Sequence, residues 1–126
     1  ASLASTFFIT SATFAGMSLY AATTKKDLSG YGHYLIMGVW GLLIASVVNI
    51  FLKSSGMYYL ISYAGVLIFC GLTAYDTQAI LRMSRTYSGS VSEDDYVRFS
   101  VIGALKLYLD FINMFIFFLR IMGRRN

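Results

Sequence analysis

Two carboxylates stand inside long uncharged runs: Asp76, in "GLTAYDTQ", and Asp110, in "LYLDFINMFIFFLR". The other four acids, Asp27, Glu93, Asp94 and Asp95, fall in linking segments or at a helix start. A lone ionised side chain in hydrocarbon costs several kcal/mol, so such a residue faces a bundle interior or water and finds a partner. Two carboxyls a few ångströms apart cannot both stay ionised cheaply, and they tend to share one proton. A pair of that kind is a proton sensor. Fully deprotonated, it offers hard oxygen ligands to a divalent cation such as calcium, but two carboxylates fall short of the six to eight oxygens calcium prefers. Waters or carbonyls would complete the shell, so Asp76 and Asp110 are candidate metal ligands as well as candidate proton-sensing and ion-pathway residues.

Local neutralisation is the competing reading. Asp76 could snorkel to the surface or pair with Arg82 or Arg85, and Asp110 could be satisfied by Lys106 or Asn113. Lys106 before Asp110 is the less favourable order for an i,i+4 ion pair.

The elements that must position these groups are helices. At 100° per residue, Lys106, Asp110, Asn113 and Arg120 share an arc of about 80° on an otherwise apolar rod. On the helix carrying Asp76, the same arithmetic puts Ser62 and Thr73 on a common face with it, and Tyr59 close by. Facing each other, the two stripes form a narrow polar seam, in which Thr73, Asn113 and Lys106 support the acids. Depth constrains the meeting. Asp76 lies about 9 Å from Arg82, and Asp110 about 18 Å from Arg98, at 1.5 Å per residue. The acids align only if the last helix stands out of the bilayer as far as Ala104, with Lys106 snorkelling to the interface.

The chain has 126 residues, of which 57% are hydrophobic, 17% aromatic and only 13% charged. That is far more apolar than an ordinary soluble domain and places the chain in lipid. Four spans are expected, at about 1–22, 34–52, 57–81 and 99–121, in a single all-α membrane domain. The first, 22 residues without a charge, is about 33 Å of helix and matches the hydrocarbon thickness. Ser92-Glu93-Asp94-Asp95 is a capping-box pattern with acids at the positive end of a helix dipole, so the last helix begins near Glu93.

"KSSG" is short enough to make the second and third spans an antiparallel hairpin, whereas "TKKDLSGYGH" and "RMSRTYSGSVSEDD" are longer and polar. Lys25, Lys26, Arg82, Arg85 and Arg98 sit on the long-loop side, and Lys53, Arg120, Arg124 and Arg125 on the other. The charge balance leans toward the long loops being cytoplasmic. Tyr20, Tyr31 and Tyr34 mark one interface, and Tyr58 and Tyr59 the opposite one. Ala12 with Gly16 and Gly38 with Gly41 have the spacing of close helix contacts.

The net charge of +4 is gathered at loops, which suits a membrane surface better than a nucleic acid. Cys70, the single cysteine, excludes an internal disulfide and reads as a packed thiol. His33 is read as an interfacial residue in a loop. There is no metal-ligand spacing of Cys or His, no phosphate-cradling glycine loop and no Ser-His-Asp set. No cofactor is expected, and enzymatic activity, which would have to be intramembrane hydrolysis by the aspartate pair, ranks third among the readings. The basic end, "RIMGRRN", fits lipid head groups or a topology anchor. Without an initiator Met or a charged leader, the chain reads as a piece of something longer.

"GLTAYDTQ" followed by "ALKLYLDFINMFIFFLRIMG" resembles the Bax inhibitor-1, or transmembrane Bax inhibitor motif, family, in particular its bacterial branch. The resemblance implies a bundle of seven membrane helices with the last one central, of which this chain holds the C-terminal four. It implies residence in a bacterial inner membrane with cytoplasmic long loops. It further implies that Asp76 and Asp110 form a proton-sensitive pair in a calcium-leak pathway. The alternative is a non-conducting regulator that binds a membrane protease or a cell-death factor.

Overall fold

A computed structural model describes residues 3–25, 27–87 and 93–123. Four helices account for nearly all of it: α1 (Leu3–Thr23), α2 (Gly32–Leu52), α3 (Ser55–Tyr87) and α4 (Glu93–Gly123), with a single 3-10 turn at Ser29–Tyr31. Each is long and apolar enough to cross a membrane. Each expected span falls largely within one of these helices, and α4 is helical from its first described residue, Glu93. The cap itself, at Ser92, lies outside the described residues.

Large apolar side chains on the outside are the mark of a bilayer protein: Phe51 is 81% exposed and Leu67 73%. Water would penalise that surface, whereas lipid does not distinguish it from a core. The true core is correspondingly small, with Leu42, Ile61, Phe69, Met114 and Phe117 at its centre.

The turn between α2 and α3 explains why they form a tight hairpin. Lys53 adopts a left-handed conformation, φ 53°, and its N–H donates to Asn49 O at 2.7 Å. Ser54 then caps α3 by accepting the Met57 N–H on Oγ at 3.2 Å, while Asn49 Oδ1 accepts the Ser54 N–H at 3.1 Å. The first free donors of a helix are satisfied this way at little cost in chain length.

Helix α3 packs against each of the other three, and α4 packs on α3 and α1. The resemblance implies a central last helix in a bundle of seven. Among these four helices the middle place belongs to α3, and Leu105, Tyr108 and Leu109 leave one face of α4 exposed.

Glycines set the close approaches, but not all the expected ones. A Cβ on Gly65 would lie 2.7 Å from the Phe117 ring, and one on Gly103 2.8 Å from Ile80. Gly38 meets Ile68 at 3.0 Å, whereas Gly16 and Gly41 have nothing within 4 Å and mark no helix contact. Spacing alone cannot say which side of a helix has a neighbour. His33 is also relocated: it lies in the first turn of α2, exposed, with its ring edge-on to Tyr34.

Candidate functional site

Helix α3 carries Ser62, Thr73 and Asp76 on one buried face, as the periodicity predicts. Helix α4 sets Asp110 against it. The contact of Gly103 with Ile80 establishes the register between the two helices, because only a residue without a Cβ lets Ile80 approach so closely. From that point, seven residues on along α4 and four back along α3, the two carboxyls meet. The turns of α4 before Gly103 run on beside the end of α3, where Tyr96 and Phe99 pack with Ile80 and Met83. The long start of α4 thus lies beside the end of α3, beyond the level of the two acids.

The carboxyls of Asp76 and Asp110 face each other closely enough to interact directly. An ionised carboxylate can only accept, so two facing carboxyls can bond each other only when one carries a proton. Both are buried, with 8% and 5% of their surface exposed. The Oδ2 atom of Asp110 is buried with no hydrogen-bond partner among the described residues. An acceptor left this way costs roughly 1–3 kcal/mol, and it is open to a proton or a cation.

Among the described side chains, the local alternatives for the acids are not taken. Arg82 turns to Asp27 at 2.8 Å and to Gln78 Oε1 at 3.1 Å. The Arg85 side chain lies outside the described residues. Asn113 donates through Nδ2 to Leu109 O of its own helix at 2.9 Å and does not join the seam. Lys106 is exposed and makes no ion pair with Asp110 among the described residues, although its charge is near enough to act on it. Arg120 departs further from the expected stripe. Its guanidinium lies 5.4 Å from the centre of the Tyr58 ring and 5.1 Å from that of Phe117, at the opposite end of the bundle.

Hydroxyls line the seam without binding the acids. Thr73 Oγ1 donates to Phe69 O and Ser62 Oγ to Tyr58 O, both at 2.8 Å. Helix α1 adds polar groups that the stripes of α3 and α4 do not reveal. Thr6 and Thr10 are fully buried, with Thr10 Oγ1 donating to Thr6 O at 2.7 Å. Ser18 Oγ lies 3.2 Å from Thr77 Oγ1, beside Asp76 in sequence. The i,i+4 spacing of two threonines in an uncharged helix was the available signal, since small hydroxyl residues favour helix interfaces. Phe111, the neighbour of Asp110, is held edge-on by Phe7 and Phe14 at 5.7 and 5.4 Å, which fastens α1 to α4 at this level.

No group of three or more His, Cys, Asp or Glu side chains converges among the described residues. Asp76 and Asp110 are therefore the whole anionic content of the seam. They can hold a proton between them or contribute two ligands to a passing cation, and Thr73 stands within the same buried face.

A family model described as inhibitor of apoptosis-promoting Bax1 matches residues 1–126. The chain belongs to the Bax inhibitor family. Relatives agree: an inner membrane protein named YbhL, of Escherichia coli strain K12, is 48% identical over 126 residues, which is 100% of this chain and 53% of that protein. An uncharacterized protein of Borreliella burgdorferi is 52% identical over 125 residues, 99% of this chain and 53% of that protein. One from Caulobacter vibrioides is 49% identical over 123 residues, 97% of this chain and 48% of its own. The chain spans about half the length of these curated relatives. As a Bax inhibitor family member with four membrane-crossing helices, it is an integral membrane protein.

Proposed function

We propose that this Bax inhibitor family protein works in a bacterial inner membrane as a pH-sensitive cation leak, with calcium the permeant ion and Asp76 and Asp110 the proton switch. The observation that carries this reading is the burial of Asp76 and Asp110 within interacting distance of each other, with Asp110 Oδ2 buried and without a hydrogen-bond partner among the described residues. One proton holds the pair together with a single net charge. Losing it leaves two like charges in a low-dielectric setting, which repel and attract a divalent cation. Calcium would pass, using water or carbonyl oxygens to complete its shell, rather than reside there.

The test is calcium flux into liposomes holding the full-length protein that contains this chain. Flux should change with pH between 5 and 8, and Asp76→Asn or Asp110→Asn should flatten that dependence. If both variants leak like the parent across the range, the switch is wrong. A non-conducting regulator of a partner protein predicts no flux above empty liposomes, together with indifference to both substitutions.

A further inference from the structure

At the far end of the bundle from the aspartates, α2, α3 and α4 border a half-open chamber. One cavity of about 190 Å³ is lined by Ser46, Asn49, Ile50, Tyr58, Ile61 and Arg120. A second, of about 220 Å³, is bordered by Lys53, Ser54 and Ser55 and adjoins the first at Asn49 and Tyr58, which line both. The chamber holds two cations and no acid. Arg120 is half-buried, its guanidinium positioned by the Tyr58 and Phe117 rings, and it makes no ion pair among the described residues.

We infer that this chamber binds the phosphodiester head group of an anionic membrane phospholipid. The ring contacts hold the guanidinium in place while leaving its N–H fork as a donor set for phosphate oxygens, a geometry suited to bidentate recognition. Asn49 spends its Oδ1 on the Ser54 N–H and keeps its amide donors. The N-terminus of the 33-residue helix α3 borders the same space through Ser54 and Ser55, and its dipole adds positive potential. Lipid is favoured over a soluble anion by what lies alongside. Ile50 lines the chamber, and with Val47 and Leu43, one and two turns back on α2, it forms an apolar strip 53–67% exposed, on which acyl chains would lie while the head group reaches Arg120. Tyr58 and Tyr59 stand at this level, where head groups meet hydrocarbon.

The test uses the full-length protein in neutral detergent, supplied with phosphatidylglycerol, with phosphatidylcholine or with inorganic phosphate alone. Bound lipid is counted by native mass spectrometry, and thermal stability is followed in parallel. Phosphatidylglycerol should be retained and should raise the melting temperature, with the other two far weaker. Arg120→Gln should weaken retention about tenfold or more, the loss expected of one charge-assisted hydrogen-bonding group. Lys53→Gln should weaken it less, and Arg120→Lys should keep part of it. Equal retention by the parent and a monodisperse Arg120→Gln variant overturns the inference. So does equal stabilisation by phosphatidylcholine, which indicates general solvation, or by inorganic phosphate, which indicates a free-anion site. An Arg120→Gln variant destabilised equally with and without lipid also overturns it, because Arg120 would then serve an acid elsewhere in the protein. Calcium flux is not read, so this outcome and that of the proposed leak are independent.

Discussion

The two ends of the α3 and α4 pair are electrostatic opposites. Toward the long loops, two buried carboxyls face each other with no cation in ion-pair contact among the described residues. Toward the short hairpin, Arg120 and Lys53 border a chamber with no acid among its lining residues. Asp110 and Arg120 are ten residues apart on one helix, about 15 Å of rise, so neither can neutralise the other. Met114, wholly buried, and the stacked rings of Phe69 and Phe117, 5.8 Å apart, fill the space between. A bundle selected only for stability gains nothing by keeping opposite charges apart in a low-dielectric interior. The separation makes sense if each end meets something outside the chain: a proton and a cation at one, a lipid anion at the other.

The largest expected effect comes from removing the divider. Phe117→Ala, which opens space beside Gly65 and takes away a ring under Arg120, should cost about 3–5 kcal/mol and lower the detergent melting temperature more than any other substitution below. Filling a close approach is next. Gly103→Ala would push Ile80 away and disturb the register that brings the acids together, at about 1–3 kcal/mol, whereas Gly41→Ala, with open space around it, should be within about 0.5 kcal/mol of the parent. Equal effects of the two would mean that the α3 and α4 register is not held at Gly103.

At the pair itself, Asp110→Asn keeps a polar group able to bond Asp76 and removes one charge. Its main effect should therefore be on the pH profile of flux, with a smaller effect on the melting temperature than Gly103→Ala. The comparison sharpens if Arg120→Gln leaves that pH profile unchanged, as the distance and the apolar divider require. Small as well should be the effect of Arg82→Gln. Its pair with Asp27 is solvent-exposed, with side chains 45% and 71% accessible, and such pairs contribute about 0–1 kcal/mol. A loss above that range would show that the tie between the α1–α2 link and α3 bears more than a surface contact.

Much of this was legible in the residues themselves. Four runs of the right length and polarity must be helices that cross a membrane, because backbone polar groups have no other way to be satisfied in hydrocarbon. A carboxylate in such a run must find a partner, and only two were present inside the spans. The hairpin at Lys53 and Ser54 follows from loop length.

Sequence alone determined which groups are costly in lipid, since transfer cost belongs to each side chain, and so named Asp76 and Asp110. The tertiary structure decided where they and their neighbours go. Periodicity put Asn113 and Arg120 on the arc of Asp110, yet Asn113 bonds its own helix and Arg120 lies between two aromatic rings. Thr6 and Thr10 became part of the buried interior only because α1 leans on α3 and α4. The pairing of the acids depended on how far α4 slides along α3, and that was settled by the missing side chain of Gly103 against Ile80. Helix pattern reports direction around an axis. Position along the axis comes from packing between helices, which no single helix encodes.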